Sequence, residues 1–200
     1  MSDAVNVNAP SQRIRAVLLT ALAAATVLVY SRALFCDFVY YDDGLYVFDN
    51  AAVRNGITLT GLKQIYVTGE TGTWQPIALL SHMLDCQLFG LNARGHHLSG
   101  VLIHAINSAL LCVALTRMTD RFYPSLAVAA IFAVHPAHVE SVAWVSERKD
   151  VLSTFFWMLC LLAYESFARN GGARRYILSI VMLILGLMTK PMLVTVPCAL

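Results

Sequence analysis

The chain alternates long apolar runs with short polar segments. Five runs meet or approach the roughly 20 residues that a helix needs to cross the bilayer core. They cover residues 16–35, 98–118, 124–144, 151–168 and 176 onward. This pattern predicts an all-α polytopic membrane protein with about five transmembrane helices, plus interfacial helices in a long first outer loop.

Composition favours a membrane class over a soluble one. Hydrophobic residues make up 58% of the 200 positions and charged residues only 13%, whereas an average soluble domain carries about 25% charge. The formal net charge is +2, and no basic patch with interleaved aromatic residues occurs in the sequence. Nucleic acid is therefore not a predicted partner, and membrane lipids are the expected surroundings.

Basic residues set the expected orientation, because short cytoplasmic loops carry an excess of lysine and arginine. The residues concerned are Arg13, Arg15, Arg117, Arg121, Arg169, Arg174 and Arg175. They place residues 1–15 in a cytoplasmic tail and residues 36–97 in the outer loop. Since the last apolar run has no polar exit, residues 16–200 are expected to be the N-terminal portion of a membrane domain, truncated at its C-terminus.

The outer loop contains two segments with helical spacing of apolar residues. They cover residues 60–67 and 74–89, with Pro76 in a position that suits the first turn of a helix. Trp74 is expected at the membrane boundary, where amphipathic aromatic rings concentrate. Both segments are predicted to lie along the membrane surface.

An acidic pair opens the same loop. Asp42 and Asp43 are adjacent, a few residues beyond the first apolar run. Two neighbouring carboxylates repel each other, and such a pair can supply a general base or a ligand to a cation. The same pair could simply begin a solvated acidic loop, so spacing alone leaves the choice open.

Polar residues recur at helical spacing within the second apolar run. They are His97, Gly100, His104, Asn107 and Ser108. Polar groups inside a membrane are expensive unless they are paired, so this stripe is expected to face protein. A histidine in such a stripe suits either a hydrogen bond between helices or a functional site.

The third apolar run is interrupted near its outer end. Pro136 lacks an amide donor and disfavours helical geometry at His135, which predicts a bend or a restart. The break gathers His135, His138 and Glu140, which can bind a divalent cation or hydrogen-bond a substrate.

Cations follow this break. Arg148 and Lys149 are adjacent at the membrane surface, and Lys190 is expected near the same surface. They suit the phosphate of a lipid, although ordinary interfacial snorkelling would also place them there.

Taken together, these segments resemble a known group of membrane proteins. The resemblance lies in five motifs that occur in order: FVYYDDGLYVFDN (38–50), TWQPIALLSHMLDCQLFG (73–90), HHLSGVLIHAINSALL (96–111), FAVHPAHVESVAWVSERKDVLSTFFW (132–157) and LMTKPMLVTVPCAL (187–200). The group is the bacterial membrane proteins that are similar to TMTC-type and protein O-mannosyltransferases of the GT-C class, which tetratricopeptide repeats generally follow. The resemblance covers nearly the whole chain beyond residue 35.

This resemblance implies an activity. It implies a glycosyltransferase of the bacterial inner membrane that passes a sugar, such as mannose, from a polyprenyl-phosphate donor to an outer-face acceptor, with inversion. The acceptor would be a hydroxyl group of a protein or a glycan. By the same resemblance, Asp42 would be the catalytic base and Asp43 a supporting residue.

The resemblance also implies roles for the remaining polar residues. The donor phosphate would meet Arg148, Lys149 and Lys190. The pocket would be lined by His135, His138, Glu140, His97, His104 and Trp74. A divalent cation, Mg²⁺ or Mn²⁺, would bind Asp43, His138 and Glu140 if the reaction uses one, and no other cofactor is expected.

Two other classes of function compete with this hypothesis. An ion-coupled transporter or channel would use His104, His138, Glu140 and the acidic pair as a path for protons or ions. The five runs share no common spacing of polar residues that would indicate inverted repeats. A membrane anchor for tetratricopeptide repeats is the second alternative, although the 200 residues contain no such repeat.

Overall fold

A computed structural model describes residues 10–67 and 72–199, and this part of the chain is helical without a strand. Its α-helices are α1 Gln12–Tyr30, α2 Ala51–Arg54, α3 Leu59–Val67, α4 Pro76–Phe89, α5 Ala93–Thr119, α6 Phe122–Val134, α7 Val139–Ala143, α8 Arg148–Asn170 and α9 Ala173–Leu187. Shorter helical turns are Ser31–Phe35, Gly44–Phe48, Pro136–His138 and Pro191–Ala199. The predicted all-α class is confirmed.

Three helices are long and apolar enough to cross a membrane. They are α1 continued to Phe35, with 24 residues, α5 with 27 and α8 with 23. The fourth candidate is α6 together with the segment Pro136–Ala143, which bends by 52° at the break. The protein is therefore a polytopic membrane protein with three to four candidate spans in the described residues.

Over residues 176–199, the fifth predicted run does not form a single helix long enough to cross the bilayer core. Helix α9 has 15 residues, which span about 22 Å of the roughly 30 Å bilayer core. It ends at Leu187, and the chain continues as the 3₁₀ segment Pro191–Ala199. Pro191 disfavours helical geometry at Lys190, so an apolar run does not become one long helix here.

The predicted interruption of the third run is confirmed. Helix α6 ends at Val134, and His135 adopts an extended backbone with φ −65° and ψ 131°. Pro136 then opens a 3₁₀ turn that leads into α7. Proline fixes this geometry because it lacks an amide donor and restricts the residue before it.

Helix α5 occupies the centre of the bundle and packs against α1, α6 and α8. His104 donates from Nε2 to the carbonyl of Ala133 at 3.1 Å, and Asn107 donates from Nδ2 to the carbonyl of Val151 at 2.7 Å. Both side chains are buried. The prediction that the polar stripe faces protein is confirmed, and its hydrogen bonds join three helices.

The outer loop has a hydrophobic core of its own. Its buried members include Tyr46, Val47, Val53, Ile65, Leu79 and Met83. Helices α3 and α4 match the segments predicted at 60–67 and 74–89, and Pro76 is the first residue of α4. Because α4 buries half of its side chains against this core, it packs on protein rather than only lying along the membrane surface.

Candidate functional site

Asp43 is a fully buried anchor between two distant segments. Its Oδ2 accepts the backbone N–H of Val39 at 2.8 Å, and its Oδ1 accepts the backbone N–H of Ser146 at 2.9 Å. Hydrogen bonds to a carboxylate are stronger than those between neutral groups. Asp43 therefore fastens the start of the outer loop to the segment immediately before α8.

Asp42 has different surroundings although it is the neighbouring residue. Its side chain is half-buried, and no hydrogen bond or ion pair to its carboxylate is found in residues 10–67 and 72–199. Its backbone carbonyl accepts the N–H of Tyr46 at 3.1 Å, which begins the turn Gly44–Phe48. Of the two carboxylates, Asp42 is the one available to a molecule from outside.

A network of charged residues lies where α8 begins. We call it the lysine rim; its members are Glu147, Lys149, Asp150 and Lys190. Nζ of Lys149 lies 2.8 Å from Oε1 of Glu147, and Nζ of Lys190 lies 4.0 Å from Oε2 of the same residue. Lys190 also pairs with Asp150. All four side chains keep between 12% and 27% of their surface exposed, so an incoming anion can reach them.

The lysine rim and the acidic pair belong to one region. Ser146, which Asp43 holds, directly precedes Glu147 of the rim. The ammonium group of Lys149 lies 4.8 Å from the ring centroid of Tyr46, a distance typical of a cation–π contact. These contacts bring the predicted acidic residues and the predicted lysines together at one end of the bundle.

Arg148 lies beneath the rim rather than on it. Its side chain is 2% exposed and pairs through Nη1 with Asp85, while Nη2 donates to the carbonyl of His96. A buried guanidinium needs such a partner because an unpaired buried charge is strongly unfavourable. The sequence-based expectation put Arg148 at the donor phosphate; the structure commits it to an internal ion pair.

Sequence reasoning missed a second polar cluster around this ion pair. His82, Asp85 and His96 place three candidate ligand atoms within 4.8 Å of one another, and all three side chains are buried. Burial and the nearby Arg148 charge hold the pKa of His82 well below its ordinary value, so its imidazole is neutral. The lone acidic residue in the apolar helix α4 was the signal that could have revealed the cluster.

The imidazoles at the helix break form a separate group. The ring of His138 contacts the rings of Phe132 and His104 in tilted arrangements, with centroids 4.5 Å and 5.5 Å apart. His135 is exposed and accepts the N–H of Ala137 at 3.2 Å, and Glu140 is exposed in the first turn of α7. Within the described ranges, no side-chain contact joins this group to the acidic pair.

The two remaining predicted pocket residues, His97 and Trp74, lie in different parts of the fold. His97 is 3% exposed in the first turns of α5. Trp74 is half exposed, and its Nε1 donates to the carbonyl of Tyr66 at 3.0 Å, which ties the end of α3 to the start of α4. This contact places Trp74 in the outer loop's own packing.

The metal set suggested by sequence does not assemble in the part of the chain that the structure describes. Both carboxylate oxygens of Asp43 already accept backbone N–H groups, and His138 and Glu140 do not join it in a cluster of candidate ligands. These residues do not fit a shared divalent cation, and no step is assigned to one.

A cavity of about 250 Å³ opens beside the lysine rim. Its polar end is formed by Asp150 and Lys190, and its apolar walls include Trp157, Leu193 and Val196. A cavity with a cation at one end and hydrocarbon-like walls suits a ligand with a charged head and an apolar chain.

Curated proteins named protein O-mannosyl-transferases are similar to this chain. Tmtc1 of Drosophila melanogaster is 29% identical over 184 residues, which cover 88% of this chain and 21% of that protein. TMTC1 of Mus musculus is 30% identical over 179 residues, covering 82% of this chain and 19% of that protein. TMTC2 of Mus musculus is 33% identical over 105 residues, covering 52% of this chain and 13% of that protein. No family model and no solved structure matches the chain.

The chain spans about a fifth of the length of the first two of these relatives. The similarity nevertheless covers most of the chain. Together with three to four candidate spans in the described residues, it identifies the chain as a TMTC-like membrane protein.

Proposed function

We propose that this chain forms the loop-bearing portion of a GT-C-type membrane glycosyltransferase. The enzyme transfers a sugar, such as mannose, from a polyprenyl-phosphate carrier to a hydroxyl group of a protein or glycan acceptor on the outer face. The names of the relatives support sugar transfer. The carrier, the acceptor and the face of the membrane are what the family resemblance implies, and the acidic and cationic groups of the site suit them.

One observation carries the proposal: Asp43 binds the backbone of Ser146 across 103 residues of sequence. This bond brings the acidic pair of the outer loop beside the lysine rim at the start of α8. A glycosyl transfer from a phosphate carrier needs both kinds of group, because one end of the reaction loses a proton and the other gains negative charge.

Asp42 is the proposed general base. Its carboxylate takes the proton of the acceptor hydroxyl while that oxygen bonds to the anomeric carbon of the sugar. The bond between this carbon and the phosphate oxygen breaks on the opposite face, which inverts the configuration. The carrier phosphate leaves with the electron pair. Since Asp42 has no protein partner among the described residues, it is available for this proton.

Lys190 and Lys149 are the proposed cations for the carrier phosphate. Both ammonium groups are paired with carboxylates that a phosphate can replace, and both are partly exposed. The cavity beside Lys190 can hold the first apolar units of the carrier. Arg148 acts as a positioning residue, since its ion pair with Asp85 holds the start of α8 in place.

The acceptor side is assigned to the helix break. His135 and Glu140 are exposed there, and the rings of His138 and His104 contact each other nearby. The cytoplasmic N-terminus and the bacterial inner membrane belong to the same proposal. The orientation is inferred from the positions of the basic residues in the short loops, and the bacterial inner membrane from the resemblance to bacterial membrane proteins.

Sugar transfer by the full-length protein in membranes tests the base. With a labelled polyprenyl-phosphate sugar as donor, we expect Asp42→Asn to lower kcat by about 10²–10⁴-fold, the range usual for a general base. The matched control is Asp49→Asn, which removes an exposed carboxylate from the same loop and leaves kcat unchanged. Undiminished transfer by folded Asp42→Asn would remove the assignment of Asp42 as the base.

A second variant set tests the cation. Lys190→Met should raise the KM for the donor more than that for the acceptor, because the carrier phosphate loses its charged partner. Lys190→Arg should restore most of the donor affinity. Lys63→Met, which alters an exposed lysine of α3, is the control. Equal effects of Lys190→Met on donor and acceptor would contradict the phosphate assignment.

A further inference from the structure

The cluster formed by His82, Asp85 and His96 has unsatisfied polar atoms in a closed interior. Both ring nitrogens of His82 and Nδ1 of His96 have no hydrogen-bond partner among residues 10–67 and 72–199. His82 and His96 are 0% exposed and Asp85 is 4% exposed. Buried polar atoms are nearly always partnered, so orphans of this kind indicate a bound species such as an ion or a water molecule.

The geometry of His96 shows which kind of species fits. Its Nε2 lies 3.1 Å from the carbonyl of Gly90, an acceptor, so Nε2 carries the hydrogen of the neutral ring. The lone pair is then on Nδ1, which lies 3.6 Å from Oδ2 of Asp85. A lone pair and a carboxylate oxygen that face each other can share a cation, or a proton donor such as a water molecule.

Asp85 retains room for such a species. Arg148 binds its Oδ2, and Ser99 donates to its Oδ1 at 2.8 Å. An ionised carboxylate offers about four lone-pair sites, so two remain. Guanidinium and hydroxyl groups on a ligating carboxylate orient it in the same way as the outer partners of known metal sites do.

The local fold places the ligands together without strain. His82 and Asp85 are three residues apart on α4 and therefore share one face of the helix. His96 comes from the first turns of α5, and its ring stacks on that of His82 with centroids 6.0 Å apart. Candidate ligand atoms of the three residues already lie within 4.8 Å of one another.

We propose that His82, Asp85 and His96 bind a divalent transition-metal ion, of which Zn²⁺ is the best fit. Two imidazole nitrogens and one carboxylate oxygen form a ligand set that suits Zn²⁺, whereas Mg²⁺ prefers oxygen ligands. The site is separate from the acidic pair and the lysine rim. It links α4 of the outer loop to α5, and the ion pair between Asp85 and Arg148 connects it to the start of α8.

Metal analysis of the whole chain in detergent tests the site. The protein carries an affinity tag without histidine, is stripped with a chelator and is re-equilibrated with Zn²⁺ or Co²⁺. We expect one Zn²⁺ per chain by elemental analysis, and a visible absorption band when Co²⁺ is used. Folded wild-type protein that retains no metal would overturn the proposal, and the orphaned atoms would then be assigned to water.

Two variants and one control make the test specific. His82→Phe keeps an aromatic ring in contact with His96 and should lose the bound metal while the protein stays folded. Ser99→Ala removes a partner of the ligating carboxylate and should weaken affinity by about 10–100-fold. His104→Gln removes an equally buried imidazole from α5 outside the site and should keep full stoichiometry. Full metal content in His82→Phe would contradict the assignment.

Discussion

At the scale of single residues, surroundings separate side chains that the sequence makes look alike. Asp42 and Asp43 are adjacent, yet one carboxylate is open to an incoming molecule and the other accepts two backbone N–H groups. Arg148 and Lys149 are likewise adjacent, but the guanidinium is buried and the ammonium group is partly exposed. The sequence shows the residue types, whereas the different surroundings of these side chains depend on contacts between distant segments.

The two bonds of Asp43 predict a loss of stability on substitution. In Asp43→Asn, one oxygen can still accept an N–H, but the amide group faces the other donor. We expect the free energy of unfolding to fall by about 1–3 kcal/mol, the usual penalty for a buried unsatisfied group. Thermal unfolding in detergent measures this, with Asp42→Asn as the control, for which a change within about 0.5 kcal/mol is expected.

His82 predicts a dependence of stability on pH. Its pKa is lowered in the folded protein because burial and Arg148 disfavour the imidazolium, while in the unfolded chain it titrates near about 6.5. Below that pH His82 binds a proton in the unfolded state but stays neutral in the folded state. Stability is therefore present above about pH 6.5 and is lost as the pH falls below it.

The measurement is the free energy of unfolding of metal-free protein at pH 7.5 and at pH 5.5. These values lie about one unit on either side of the free histidine pKa. Wild type should lose about 1 kcal/mol more than His82→Phe over this interval, because the variant has no group at this position to protonate. Parallel losses in both proteins would exclude His82 as the source.

At the scale of helices, the prediction from sequence succeeded where the signal was local. Periodic apolar residues gave α3 and α4, and Pro136 gave the break after α6. The length of the helix in the fifth run was harder to predict, because hydropathy reports apolar character and not helix length. The residues around Pro191 end α9 early. The cluster of Asp85 with Arg148 was missed since its members lie 63 residues apart.

The junction of α4 and α5 predicts that alanine substitutions at two glycines change the stability of the protein by very different amounts. A Cβ at Gly95 would lie 2.6 Å from Cβ of Phe89, whereas a Cβ at Gly100 would meet only the carbonyl of Val142 at 3.4 Å. We expect Gly95→Ala to destabilise the protein by about 1–3 kcal/mol through overpacking. Gly100→Ala should be near neutral, since alanine favours helix by up to about 1 kcal/mol. Thermal unfolding of both variants checks this, and equal stability would contradict the tight junction.

At the scale of the whole molecule, one helix organises the bundle. Helix α5 contacts α1, α6 and α8 through a buried polar stripe, so the candidate spans are joined by hydrogen bonds as well as by apolar packing. The sequence predicted this arrangement because polar residues inside a membrane must face protein. The orientation of the bundle is a prediction from the placement of basic residues, and it is open to a direct test.

Labelling of single cysteines determines the orientation. The exposed Cys36 and Cys198 are first replaced by serine. A cysteine at Asn55 in the outer loop should then react with an impermeant reagent added outside intact cells, and one at Asn170, at the end of α8, should not. Reaction at Asn170 alone would reverse the proposed topology.

The ion pair between Asp85 and Arg148 imposes an order on biogenesis. Asp85 is synthesised 63 residues before the arginine that neutralises it, and in that interval its carboxylate has no guanidinium partner. The cluster around Asp85 can therefore close only after Arg148, at the start of α8, has been made. Helices made late in translation complete a structure whose first half is made long before.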